Sequence, residues 1–156
     1  MTQFRKALKN QKGLTLVELL AVIVILGIIA AIAVPAVANI IENSRKDAHV
    51  ANAESLYNAA RLAVVSENLN AEVDSEWTFF ADNSTANRED QEINLIEDRY
   101  LDSAPQDPES DGVYTDAEVT YDGTDYTIKL DDYFGTDGDG ETITIIRSLG
   151  RDAVVE

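Results

Sequence analysis

Residues 14–34 form an apolar run that contains one charged side chain, Glu18. As an α-helix rising about 1.5 Å per residue, this run is long enough to cross a hydrocarbon layer of roughly 30 Å. An ionisable group inside such a segment is costly and is by default a candidate functional residue. Thr15 and Glu18 also have the spacing of a capping box at a helix N-terminus. The sequence therefore predicts a membrane-spanning helix whose carboxylate needs a partner.

The residues on the two sides of the apolar run differ in charge. Arg5, Lys6, Lys9 and Lys12 precede it without any acid, and the next base after it is Arg45. The positive-inside rule therefore predicts a cytoplasmic N-terminus. The alternative is an ordinary secretory signal. Such a signal has a shorter apolar core of about 7–15 residues and a small-residue cleavage site, which this run does not clearly offer.

Lys12-Gly13, followed by Leu-Thr-Leu-Val-Glu-Leu-Leu at positions 14–20, resembles the class III leader and processing site of bacterial type IV prepilins and pseudopilins. The resemblance implies that the prepilin peptidase, a membrane enzyme, cuts between Gly13 and Leu14 and methylates the new amine of Leu14. Leu14 departs from the family's usual Phe at this position. The resemblance also implies that Glu18 pairs with the methylated amine of an adjacent subunit during assembly.

The same resemblance implies an organisation in four parts. These are a leader peptide (1–13), a transmembrane or filament-core helix (14–35), the amphipathic second half of that helix (36–67), and an acidic globular head (68–156). The expected fold class is α+β and type IV pilin-like, with a long N-terminal helix packed on a small antiparallel β-sheet.

Charge limits the partners of the mature chain. Without residues 1–13 it has 8 bases against 29 acids, a net charge of −21. A chain this acidic repels the phosphate backbone, so direct binding of nucleic acid by the monomer is not expected. Cysteine is absent, which excludes disulfides and zinc–thiolate sites. Since many Gram-negative members of the family that the chain resembles carry a disulfide in the C-terminal loop, the resemblance then implies a Gram-positive source.

Helical periodicity continues past Pro35 to about Glu67. One apolar stripe is expected to face the head; it consists of Ala53, Leu56, Tyr57, Ala60 and Val64. A second stripe is interpreted as a subunit-packing face, with a place in the monomer's own core as the alternative. Its members are Val37, Ile41, Ser44, Ala48, Ala51, Ser55 and Ala59.

Pro35 is expected to kink or open the helix, and Gly27 adds backbone freedom. The resemblance implies partial unwinding between these two residues in a filament.

The head has weaker patterns. Residues 77–80 are predicted to be an aromatic anchor on the helix, and the alternative is a sugar-binding platform. Residues 92–103 are predicted to form a short helix. Residues 100–108 resemble the connection that precedes the sheet in major pseudopilins and some Gram-positive pilins. Strands are predicted at 118–121 and 126–130, joined by a hairpin at Asp122-Gly123, and at 141–146.

An acidic, glycine-containing loop follows the second of these strands. Its carboxylates belong to Asp131, Asp132, Asp137, Asp139 and Glu141. Calcium prefers several oxygen ligands on a flexible loop. The loop is therefore a candidate calcium site, and the alternative is a solvated acidic turn. No other cofactor is expected.

No enzyme is expected, because no nucleophile–base pair, phosphate-binding loop or catalytic metal cluster is recognisable. The single histidine, His49, is predicted to face solvent. The predicted function is that of a type IV pilus subunit, anchored in the cell membrane and then assembled into an extracellular filament by an assembly ATPase and a platform membrane protein. The alternatives are a pseudopilin of a secretion or DNA-uptake system, or a membrane-anchored binding module, with or without calcium, that never polymerises.

Overall fold

The computed structural model describes residues 15–69, 76–81, 91–135 and 139–155. The chain divides into two compact units, residues 1–41 and 42–156. The elements, in chain order, are α1 (Leu16–Ser66), β1 (Trp77–Phe80), β2 (Glu92–Asn94), β3 (Ala117–Tyr121), β4 (Tyr126–Leu130), β5 (Glu141–Thr142), α2 (Ile143–Leu149) and a 3₁₀ turn (Gly150–Ala153).

The described part of the first unit is the N-terminal part of α1. Every described side chain from Leu16 to Ile41 is exposed, and the large apolar ones expose between 49% and 81% of their surface. A helix with no buried face in its own chain must find an apolar environment elsewhere, either lipid or neighbouring helices. The helical assignment continues through Gly27 and Pro35.

The second unit is built around the C-terminal part of α1. Ala53, Leu56, Ala60 and Val64 are buried there and Tyr57 is half-buried, so the predicted head-facing stripe is confirmed. These helix residues share one hydrophobic core with the inward side chains of the sheet. Four of the six buried α1 residues in this core are alanines, and their small size lets helix and sheet approach closely.

The sheet has five strands in the order β2-β1-β3-β4-β5. Phe79, Val119 and Ile128 lie opposite one another on three adjacent strands and are fully buried. The expectation of an antiparallel sheet is correct for three of the four strand pairs, but β1 and β2 are parallel, so the sheet is mixed. The fold is α+β, with a long N-terminal helix packed on a small sheet.

The hairpin and the aromatic anchor are confirmed. The β3–β4 loop is closed by the Asp122 carboxylate, which accepts hydrogen bonds from the backbone N–H groups of Thr124 and Asp125, both at 2.8 Å. Gly123 in this loop has a φ of 95°, a conformation that glycine adopts without strain. In β1, Phe79 is fully buried in the core that includes α1, and Trp77 packs against it.

Two predicted elements are wrong. Residues 92–94 form β2 rather than the start of a helix, and turns follow. The Asn94 side chain explains the end of this strand, because its Oδ1 accepts from the N–H groups of Ile96 and Glu97. The predicted strand 141–146 is a strand only at Glu141–Thr142, after which α2 begins at Ile143.

Candidate functional site

The N-terminus of α1 places Glu18 in a closed hydrogen-bonded arrangement with Thr15. Glu18 Oε2 accepts from the backbone N–H of Thr15 and from its hydroxyl, both at 2.9 Å. The backbone N–H of Glu18 donates to Thr15 Oγ1 at 3.2 Å. This is the reciprocal pattern of a capping box, with Thr15 as the N-cap residue. The predicted capping box is confirmed.

The capping box fixes the position of the carboxylate but adds no positive charge to it. Its donors are a backbone amide, a hydroxyl and the partial charge of the helix N-terminus. The side chain is exposed and lies in a segment whose other side chains are apolar. A carboxylate held in this way presents its negative charge outward at a fixed height on the helix, where a cation from another molecule can reach it.

Helix α1 is long and apolar enough to cross a membrane, judged by its length and composition. Its most apolar window of 18 residues has a mean hydropathy of 3.0, and none of that window is buried within the chain. Gly13, Leu14 and the leader lie outside the described residues.

Gly27 and Pro35 both lie within continuous helix. A Cβ added at Gly27 would meet no atom within 4 Å, so packing within this chain does not require a glycine there. The unwinding suggested for a filament concerns an assembled state and stays a prediction.

The prediction that His49 faces solvent is wrong: only 1% of the residue is exposed. Its Nδ1 lies 2.8 Å from the Tyr114 hydroxyl, and its ring centroid lies 3.9 Å from that of Tyr133. Asn52, one helical turn further on, donates from Nδ2 to the Tyr114 hydroxyl at 3.0 Å and to the Gln106 carbonyl at 2.8 Å. These contacts attach α1 to the loops before β3 and after β4.

Burial lowers the pKa of His49, and the negative charges of Asp107, Glu109 and Asp131 oppose this effect only in part. His49 Nε2 is buried and has no hydrogen-bond partner among the described residues. A second proton on the ring would therefore place an unpaired charged N–H group in the core.

We expect the head to lose stability as the pH falls below the unfolded-state value of about 6.5. The folded pKa of His49 is depressed, so in this window the unfolded chain binds more protons than the folded chain. Urea unfolding of the mature chain in detergent, repeated between about pH 5 and pH 8, measures the effect. His49→Asn keeps a donor near the position of Nδ1 without titrating, so it should flatten this dependence. An unchanged profile would contradict the prediction.

Ion pairs reinforce the attachment of α1 to α2 and the following turn. Arg147 donates from Nε and Nη2 to the two carboxylate oxygens of Glu54, at 2.8 and 2.9 Å. The same guanidinium lies over the Tyr57 ring at 4.6 Å. Arg151 reaches Asp47 at 3.0 Å. The bidentate and stacked geometry makes the Arg147 pair the most specific of these surface contacts.

The acidic loop is described only in part, since Asp137 lies outside the described residues. Asp131 already has a structural role, because its Oδ1 accepts a hydrogen bond from the backbone N–H of Asp116 at 2.8 Å. Glu141 Oε1 accepts from the backbone N–H of Thr142 at 2.9 Å. Within the described ranges no group of three or more acids or histidines could hold a metal ion. The proposed calcium site stays a prediction.

The glycines of this loop have a backbone role. Gly135 and Gly140 both have φ of 82°, which L side chains rarely adopt. A Cβ at Gly140 would lie 2.6 Å from the Ile128 carbonyl oxygen. Gly140 therefore allows β5 to approach β4 closely. This packing requirement is sufficient to explain the glycine, and no bound ion needs to be invoked.

The comparisons with known proteins agree with the N-terminal geometry. Residues 8–34 match the family described as the prokaryotic N-terminal methylation motif. No curated protein and no solved structure matches the chain significantly. The motif is typical of structural rather than enzymatic proteins. By its matched segment, which includes the capped Glu18 and most of the exposed apolar helix, the chain carries the N-terminal signature of the type IV pilins and pseudopilins.

Proposed function

We propose that this chain is the precursor of a type IV pilus subunit. It is inserted in the cell membrane with a cytoplasmic N-terminus, cleaved after Gly13, methylated at Leu14 and assembled into a helical surface filament. The observation that carries the proposal is the coincidence of the methylation motif with a capped, outward-facing Glu18 on an otherwise apolar, exposed helix.

The proposed mechanism of assembly is an exchange of apolar surroundings. Helix α1 leaves lipid and packs against the α1 helices of other subunits, so burial of apolar surface is exchanged rather than gained. Close packing and charge pairing must then favour the filament. The Leu14 amine of an incoming subunit, freed by cleavage, supplies the positive charge that the capping box of Glu18 lacks. The assembly ATPase and a platform membrane protein supply the work of extraction.

The experiment that tests the proposal blocks cleavage. In cells that contain a prepilin peptidase, Gly13→Val should leave residues 1–13 attached and abolish filaments, because Leu14 then has no free amine. Mass spectrometry of the membrane fraction and electron microscopy of sheared surface material measure the two effects. Cells lacking the peptidase should show the same phenotype with the unaltered chain. A mature, methylated wild-type chain that is never found in a polymer would instead support a membrane-anchored binding module.

A pseudopilin of a secretion or DNA-uptake system is the second candidate. It is favoured by the segment 100–108, whose sequence resembles the connection before the sheet in major pseudopilins. That segment is tightly held: the N–H groups of Tyr100 and Leu101 both donate to the Leu95 carbonyl at 2.8 Å. The length of the fibre distinguishes the two candidates, since a pilin forms long surface filaments and a pseudopilin a short fibre within the envelope.

A further inference from the structure

Most of the described basic side chains of the second unit pair with acids of that unit. The described residues of 42–156 include seven lysines and arginines, and five of them form ion pairs with acids of the same unit. The pairs are Arg45 with Glu109, Lys46 with Glu42, Lys129 with Asp116, Arg147 with Glu54 and Arg151 with Asp47. Arg61 and Arg99 form no ion pair with any described residue.

Arg61 lies on an exposed face of α1 beside two large apolar side chains, Leu62 and Val65. Asn58, Arg61, Leu62 and Val65 line a shallow groove of about 280 Å³. Leu62 exposes 56% of its surface and Val65 72%, although both belong to the second unit, where α1 has a buried face. An arginine flanked by exposed apolar side chains is typical of a binding surface. A partner that covered Leu62 and Val65 would also exclude water from the guanidinium and so strengthen its ionic contacts.

Arg99 has a different setting. It lies in the turn after β2, with a φ of 64°, directly after Glu97 and Asp98. Its sequence neighbours already place negative charge near it. Arg99 is therefore a matched control for Arg61, because both are exposed arginines without an ion pair in the described part of the head.

We propose that the face formed by Asn58, Arg61, Leu62 and Val65 binds an acidic surface of a second copy of this chain, with Arg61 donating to a carboxylate of that copy. The inference rests on the proposed function, because it requires a polymer. The mature chain has 8 bases against 29 acids, so almost any approaching copy presents carboxylates. The planar guanidinium fork suits a carboxylate better than any other cationic side chain does.

The first test compares two substitutions with the same change in charge. Arg61→Glu should reduce the amount of sheared filament per cell about ten-fold or more, the effect of one lost charge-assisted hydrogen bond per contact. Arg99→Glu should leave it at the wild-type amount, and Arg61→Lys should largely restore assembly. Equal effects of Arg61→Glu and Arg99→Glu, or a wild-type amount from Arg61→Glu, would overturn the inference. Thermal unfolding in detergent should be unchanged in all three variants, because both arginines are exposed.

The second test identifies the occupant of the face. A photo-crosslinking residue, p-benzoylphenylalanine, in place of Leu62 should give a covalent dimer of this chain on illumination of filaments, with the adduct on an acidic peptide. The same residue in place of Thr124, in the exposed β3–β4 loop, is the control and should give little dimer. Crosslinks from position 62 only to other proteins, or none, would overturn the inference. A wild-type chain that forms no filaments would refute the proposed function itself, which is a distinguishable result.

Discussion

Replacing Glu18 with alanine is expected to leave the precursor inserted and cleaved but to abolish filaments. Cleavage depends on the leader and Gly13, whereas assembly is proposed to need the charge at position 18. An ionised carboxylate costs roughly 2.5–3.5 kcal/mol at the centre of a membrane helix and less near its ends, and Glu18 lies in the first turn of α1. A cationic partner recovers this cost only in the filament. The alanine variant has no charge at position 18, so the free-energy difference between membrane and filament that the charge creates is lost. Mass spectrometry of the cleaved N-terminus and electron microscopy of sheared material measure the two steps separately.

The structure suggests a sharper variant, Glu18→Gln. A glutamine can still accept hydrogen bonds from the N–H and the hydroxyl of Thr15, so it preserves the capping box and removes only the charge. If charge pairing drives assembly, Glu18→Gln should fail as completely as Glu18→Ala. If the carboxylate serves only to cap the helix, worth about 1 kcal/mol, Glu18→Gln should assemble almost normally. Abundant filaments from Glu18→Gln would therefore contradict the proposed intersubunit role.

Replacing Phe79 with alanine is expected to destabilise the head by about 3–5 kcal/mol. Phe79 is fully buried in the middle of the sheet, in register with Val119, and contributes to the core shared with α1. The loss is a large fraction of the free energy of unfolding of a native protein, which is about 5–15 kcal/mol. We expect the melting temperature of the mature chain in detergent to fall by roughly 10–20 °C.

Trp77 is the single tryptophan and lies in the same strand, so its fluorescence reports unfolding of the head directly. Thr78→Ala is the matched control. Thr78 is between Trp77 and Phe79, points to the opposite face of the sheet and is only half-buried. It should change the melting temperature far less than Phe79→Ala. Equal losses from the two substitutions would show that the strand itself, rather than its inward aromatic ring, determines stability.

The features that sequence predicts well here are those set by local chemistry. The spacing of Thr15 and Glu18 is sufficient for the capping box, and Asp122-Gly123 is sufficient for the hairpin. The apolar stripe that contains Leu56 has the helical period throughout, so its burial follows once a sheet covers it. The methylation motif is likewise local, because its residues are contiguous in the chain.

The features that were missed depend on contacts distant in sequence. Ile93 and Ile96 fit a helical spacing, but pairing with β1 makes residues 92–94 a strand. Ile143 and Ile146 have high strand propensity, yet they are the two buried residues of α2. Packing of this helix face against the core therefore outweighs the local preference for a strand. His49 lies among charged residues in sequence, and it is buried beside the rings of Tyr114 and Tyr133, which are distant in the chain.

The same limit applies to the candidate sites. The position of Glu18 could be predicted, but which arginines form no ion pair with the described residues could not. Four of the five internal ion pairs join residues distant in sequence, and Lys46–Glu42 alone among them is local. The surroundings of Arg61 and Arg99 differ. The acids beside Arg99, Glu97 and Asp98, can be read from the sequence, but the groove that Arg61 lines with Leu62 and Val65 cannot.

The internal pairing of five bases has a consequence on a larger scale. Those cations neutralise carboxylates of their own head, so the field outside each subunit is dominated by the remaining anions. In the proposed filament, two fibres coated with such heads would repel one another laterally. At 0.1 M salt, dissolved ions screen this repulsion beyond about 10 Å. Bundling of fibres would then be controlled by the ionic composition of the medium, and single, separated fibres are the state that dilute surroundings favour.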